Sequence, residues 1–308
     1  MLYGLDVTPL KDDDINDLEI AHRGNAKIIQ QIPSTAPNPA VLAPLGWLSI
    51  SSYISMMKLL FLFRLLCSET FSIYKQLALK KLTDCIYGND RYMIRFKMVS
   101  PIMSMYYAAQ KYGICEKIRE CIDSNNFGSY VTWKGIIKKR IWEYEHACWR
   151  ASCLLYRNLG IYSDCVTRIE MNVWWKLVKM KPNLVKKAAC TIAVLCGGQP
   201  VNMQANFNSA FCQLCDLRQR EDALHILFVC PELDHTRSVL AGRLADKMPD
   251  AMKYLYDNYD IKMKLCFLLS GMNQNVLTIE WLDTYVNILN LVYGVYKKRK
   301  LLYDVIDM

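Results

Sequence analysis

The chain has 308 residues, 53% of them hydrophobic, and 38 Lys and Arg stand against 29 Asp and Glu, for a net charge of +9. So much apolar side chain can offset the entropy of ordering, which excludes intrinsic disorder, and the length suits two modules or one large one with an appendage. The longest uncharged stretch, residues 28–57, is punctuated by Pro33, Pro37, Pro39 and Pro44, and the apolar runs at 56–67 and 265–271 are short, so no membrane span is expected and the chain reads as soluble.

The thirteen cysteines are odd in number and irregular in spacing, and no secretory signal precedes them, which points to a reducing, intracellular compartment, cytoplasmic or nuclear. Cys67, Cys148, Cys153 and Cys266 sit among Leu, Trp, Phe and Ala and are expected to be small buried hydrophobes.

In chain order, an apolar opening at residues 2–7 reads as a chain that begins inside a folded unit, and so as a fragment. Residues 12–31 form an amphipathic helix on the spacing Ile15, Leu18, Ala21 or His22, with an acidic first turn and a late Lys27. Asp12, Asp13 and Asp14 therefore read as a helix cap, in preference to a carboxylate cluster for a cation. Residues 32–46 are expected to be an extended, proline-punctuated connection, and Ser49 and Ser51 can cap a helix running to about Cys67 that is apolar nearly all round and should be buried. Helical patterns follow over 71–82 and 101–121, with turns at Gly88 and 125–128.

Residues 131–187 hold twelve basic side chains against four acidic ones, a local +8, and five of the seven tryptophans. On a helix over 135–158, Lys138, Trp142 and Trp149 share a stripe flanked by Lys139, Arg140 and Arg150, with Lys134 just before it. Cationic side chains neutralise phosphates and an indole face can stack on an unpaired base, so this region is the candidate surface for RNA or single-stranded DNA. For any single tryptophan, packing into the core is the competing expectation. After a Gly197-Gly198 break and the cysteine segment considered next, the pattern returns to helix beyond Pro249. The last helix carries Ile279, Leu282, Val286, Leu289, Tyr293 and Tyr296 on one stripe, opposite Glu280, Asp283, Asn287 and Asn290. The run Lys297-Lys298-Arg299-Lys300 at its end suits the helix dipole better than a nuclear-import patch. With no repeat and no β-alternation, the fold class expected is mainly α: a multi-helical body with a small CCHC-type zinc-binding module.

That module is the sharpest motif. Cys212, Cys215, His225 and Cys230 are spaced C-x2-C-x9-H-x4-C. A tight turn in a C-x2-C pair aims both sulfurs at one ion, and the second pair closes a tetrahedron of soft and borderline donors suited to zinc. Residues 219–222 form a polar crossing and 223–229 a short helix, which Pro231 stops just past Cys230. His235 is the alternative fourth donor. Four protein donors leave no open position, so the site would be structural, and about 20 residues cannot build a core without it.

The C-x2-C pair, the polar insert and Ala223-Leu-His-Ile-Leu-Phe-Val-Cys-Pro-Glu-Leu233 resemble the zinc-binding segment near the C-terminus of non-LTR (LINE-like) retrotransposon reverse transcriptases. The stretches 2–6, 18–23 and 43–50, the last reading Ala-Pro-Leu-Gly-Trp-Leu-Ser-Ile, resemble the segment that follows the polymerase palm in those proteins. The resemblance implies a thumb-like helical region at 1–100, a basic helical connector at 101–205, the zinc module at 206–240 and a C-terminal helical region at 241–308, with the polymerase palm as a further partner. The family's aromatic-x-Asp-Asp turn, which holds the cations of phosphoryl transfer, has no counterpart in this sequence, so no catalytic residue is carried over and no enzyme activity is expected. No nucleophile motif or phosphate loop replaces it, and a cysteine nucleophile paired with His146 is disfavoured because Cys148 and Cys153 read as helix core. A helical, zinc-stabilised interaction protein with no nucleic-acid role is the alternative reading.

Overall fold

The structure, a computed structural model, describes residues 4–5, 7–8, 10–68, 72–87, 100–156, 159–198, 211–271 and 281–306. It is mainly helical, and the described residues contain no β-strand, only the isolated bridges Leu45–Met171 and Phe211–Arg220. Two compact units divide the chain, one of residues 1–22 and 48–149, the other of residues 23–47 and 150–308. This grouping cuts across the four consecutive segments expected from the sequence, because residues 23–47 fold with the C-terminal half.

Helix α1 (Asp12–Gln30), whose residues 12–22 fall in the first unit and 23–30 in the second, begins where its acidic turn predicts: the Asp14 carboxylate accepts the Lys11 N–H at 3.1 Å, which supports the reading of Asp14 as a cap. Helix α2 (Pro39–Leu42), which belongs to the second unit, interrupts the connection expected to be extended. Proline holds φ near the helical value and its missing N–H is not needed in a first turn, so Pro39 starts a turn of helix. Helix α3 (Ile50–Leu66) is capped by Ser49, whose hydroxyl accepts the Ser52 N–H at 3.1 Å, and of its residues only Arg64 is exposed. Helix α4 (Ile73–Ile86) follows. Phe71 and Gly88 lie outside the described residues.

The single helix expected over 101–121 is two, α5 (Pro101–Lys111) and α6 (Cys115–Asp123). Gly113 separates them at φ +66°, a left-handed conformation that costs glycine nothing and that ends a helix. Helix α7 (Tyr130–Leu154) starts earlier than expected, beyond the turn at Asn125 (φ +50°) and Gly128 (φ +60°). The core of the first unit gathers Leu59, Leu62 and Phe63 of α3, Leu82 of α4, Tyr106 and Ala109 of α5, Ile118 of α6 and Trp133, Ile137 and Ile141 of α7. Phe63 and Trp133 stack with ring centroids 3.8 Å apart, and the Trp133 indole N–H donates to Phe127 O at 2.6 Å.

The second unit contains α8 (Gly160–Cys165), α9 (Val173–Met180), α10 (Val185–Leu195), α11 (Asp234–Ala245), α12 (Asp250–Asn258), α13 (Ile261–Ser270) and α14 (Leu282–Ile306). Helix thus resumes at Asp234, ahead of the expected Pro249, which instead precedes α12. Helix α14 packs on α10 and α11. Its buried stripe is Tyr285, Ile288, Leu289, Val292, Val295, Tyr296, Arg299 and Tyr303, turned from the expected one so that Val286 and Tyr293 are only half-buried. Ile279 and Glu280 lie outside the described residues. Arg299, 2% exposed, is also no part of a basic surface run; of that run Lys297 and Lys298 are exposed and Lys300 is half-buried.

All thirteen cysteines are free thiols. Cys153 is buried as expected, Cys67 and Cys266 are half-buried, and Cys148 is exposed, contrary to expectation, because it falls on the outer side of α7. No helix among the described residues is long and apolar enough to cross a membrane.

Candidate functional site

Residues 211–233 fold into one loop. Phe211 and Arg220 bridge, the Cys212 N–H donates to Gln219 O at 2.9 Å, and Arg218 turns the chain at φ +48°. Asp222 then caps the next element, its carboxylate accepting the His225 N–H at 2.9 Å. The helix expected over 223–229 is present but widened: His225–Val229 is a π-turn in which the Cys230 N–H reaches back five residues to His225 O at 2.8 Å. One extra residue in the turn brings Cys230 back over the start of the segment, where His225 lies. As expected, the segment stops just before Pro231: it ends at Val229, and Cys230 leaves the helical conformation at ψ +117°. Pro231 then opens a separate 3-10 turn, Pro231–Leu233, that leads into α11.

Four ligand atoms from Cys212, Cys215, His225 and Cys230 lie within 4.8 Å of one another. The Cys212 and Cys230 sulfurs are 4.0 Å apart, and Cys215 Sγ is 3.5 Å from His225 Nε2. All but the half-buried Cys215 are buried. Gln219 Oε1 sits 3.3 Å from His225 Nδ1, an acceptor that keeps the proton on Nδ1 and turns the Nε2 lone pair to the thiols. Burial raises the Cys212 thiol, and it pushes Cys230 up to about 12 with the Cys212 sulfur adding to it. Against this, the N–H groups of Leu214 and Glu232 point at the Cys212 and Cys230 sulfurs and favour their thiolates. Burial lowers the pKa of the His225 imidazole, against the pull of Asp222 and Glu221, and so favours the neutral form that can donate a lone pair. Such a cluster could hold a metal ion, which supplies the positive charge that buried sulfurs lack. His235, the alternative donor, is exposed on α11 and is not among the four.

Sequence reasoning missed the residues that hold this loop from outside its spacing: Gln213, whose backbone N–H donates to Tyr303, and Glu221, which pairs with Arg299. No signal local to the motif marks them, since their partners lie about eighty residues further along.

Of the candidate nucleic-acid residues, Lys134, Lys138, Lys139, Arg140 and Arg150 are all exposed. Lys139 and Arg140 both approach Glu143, at 3.8 and 3.7 Å, pairs too solvated to hold either side chain strongly. The aromatic half of the expected stripe does not share that exposure. Trp142 is half-buried against the core of its unit and Trp149 is buried, as are Trp133, Trp174 and Trp175, because five large indoles bury more apolar area than a solvated face can leave in water. Burial also lifts the Cys153 thiol to about 11, which keeps it protonated and unreactive near neutral pH.

No family model matches the chain, and neither a curated protein nor a solved structure shows significant similarity to it.

Proposed function

We propose that this chain is the non-catalytic C-terminal region of a non-LTR retrotransposon reverse transcriptase, acting inside the cell, which binds RNA or single-stranded DNA through the basic face of α7 and holds zinc in a structural CCHC site. The observation that carries the reading is the convergence of Cys212, Cys215, His225 and Cys230, the four residues that match the family's motif. Tetrahedral zinc with Zn–S bonds near 2.3 Å sets its ligand atoms about 3.8 Å apart, close to the 4.0 and 3.5 Å separations here. Three thiols with one imidazole suit zinc over the oxygen-seeking cations, and four protein donors leave no position for a reacting water. Bound zinc would hold the loop closed, with the Leu214 and Glu232 N–H groups and Gln219 orienting the donors.

The polymerase palm of such a protein would be this region's partner. Asp12, Asp13 and Asp14 are exposed in the first turn of α1, where Asp14 acts as a cap, so they offer no clamp for two catalytic cations. Primer extension on an RNA template with magnesium or manganese should give no product; synthesis that disappears on D13N/D14N would overturn the non-catalytic assignment.

A second reading, a helical interaction protein with no nucleic-acid role, draws support from the burial of four of the five tryptophans of residues 131–187. Salt separates the two. Binding to single strands should weaken by roughly 0.7 log unit per log unit of salt for each phosphate neutralised, whereas an apolar protein contact does not weaken with salt.

A further inference from the structure

Two residues one turn apart on α14 reach into both arms of the cysteine loop. Arg299 donates from Nε to Glu221 Oε1 at 2.8 Å and from Nη2 to Glu221 Oε2 at 2.7 Å. The Tyr303 hydroxyl donates to Glu221 Oε1 at 2.9 Å and accepts the Gln213 N–H at 3.1 Å. The Arg299 guanidinium also lies over the Tyr303 ring, 4.8 Å from its centroid. Gln213 stands between Cys212 and Cys215, and Glu221 stands between Arg220, which bridges to Phe211, and Asp222, which caps His225. A single phenolic oxygen thus joins the arm that carries two of the donors to the arm that orients a third.

All three clamp side chains are removed from water: Arg299 is 2% exposed, Tyr303 fully buried and the Glu221 side chain 8% exposed. A buried guanidinium is stabilised by a carboxylate placed against it, so opening the loop would take from Arg299 the bidentate pair that Glu221 supplies. A loop of this size has no core of its own and takes its order from its ion and from whatever packs against it. Each event therefore favours the other, and linkage makes that coupling reciprocal.

We propose that Arg299 and Tyr303 are positioning residues for the metal centre, and that metal binding and the seating of the last turns of α14 are one coupled equilibrium: loading seats residues 296–306, and loss of the ion releases them. This rests on the reading of the four donors as a zinc site.

The test uses the full chain and zinc itself, with affinity measured by competition against a chromophoric chelator. Tyr303→Phe, which keeps the ring and removes the bridging hydroxyl, should weaken zinc binding by about tenfold, and the paired change Glu221→Gln with Arg299→Met, which leaves no stranded charge, by about 10- to 100-fold. In the cobalt-substituted protein, the thiolate charge-transfer bands should move in Tyr303→Phe, a shift that loss of packing far from the ion would not produce. Stripping zinc from the unaltered chain should speed amide exchange over 296–306 while leaving 101–123 unchanged. Affinities within twofold of the unaltered chain, with unchanged exchange over 296–306, would overturn the coupling while the zinc site stands. An unaltered chain that holds no zinc would remove the metal reading, and the coupling with it.

Discussion

The backbones of Gly46 and Met171 lie in direct contact: a Cβ on Gly46 would stand 2.6 Å from Met171 N, and Gly46 adopts φ +67°. Beside them, Leu45 bridges to Met171 and the Asn172 N–H donates to Pro44 O at 2.8 Å, ahead of α9, which Asn172 caps. An alanine at 46 would meet left-handed strain of about 1 to 2 kcal/mol together with a clash against backbone that no rotamer relieves. Gly46→Ala should therefore destabilise the chain by more than about 2 kcal/mol, read from the midpoint of urea unfolding; an unchanged midpoint would contradict the contact.

The cysteine loop should lose its order with its ion. Mutating Cys212 and Cys215 to Ser is expected to abolish zinc retention, read as metal content by mass spectrometry, and to raise amide exchange across 211–233, while the exchange pattern of α3 and α5 in the other unit stays as it was. Zinc content unchanged in the double mutant would refute the assignment of the donors.

On α7, charge and aromatic substitutions should separate into different measurements. Lys138→Glu with Lys139→Glu acts on exposed side chains and should flatten the salt dependence of single-strand binding, by roughly 0.7 in slope for each phosphate contact removed, with stability nearly unchanged. Trp149→Ala opens a cavity and should cost about 3 to 5 kcal/mol of stability, whatever it does to binding. If the charge reversals leave both affinity and slope untouched in a folded protein, the basic face is only solvated surface and the interaction-protein reading takes its place.

Alkaline pH should weaken the second unit through a buried tyrosine. Burial raises Tyr285, fully buried on α14 with its hydroxyl 3.4 Å from Gly271 O, from its ordinary value of 10 to about 12. Because the folded value lies above the unfolded one, this stabilisation is complete below pH 10 and is lost as pH rises from 10 through 12. Its full extent is on the order of 3 kcal/mol. Tyr285→Phe should make stability over that window fall less steeply, measured as urea midpoints at successive pH values; an identical pH profile would show that Tyr285 does not titrate on unfolding.

What the sequence determined by itself is what neighbours along the chain can decide. The aspartates at 12 to 14 mark the start of α1, the hydroxyl of Ser49 marks the start of α3, and the spacing of Cys212, Cys215, His225 and Cys230 marks four donors that the fold does bring together. Caps and metal-ligand spacing act within one or two turns, so their chemistry is visible locally. Burial is decided across distance. The stripe on α14 turned towards Tyr285, Arg299 and Tyr303 because α10, α11 and the cysteine loop lie against that side, and a basic residue within a basic run became a buried ion pair because Glu221, 78 residues away, supplies its carboxylate. In the same way, the tryptophans that read as a stacking surface could be assigned to the core only once their neighbours were in place, since an indole fits either setting and the area removed from water decides between them.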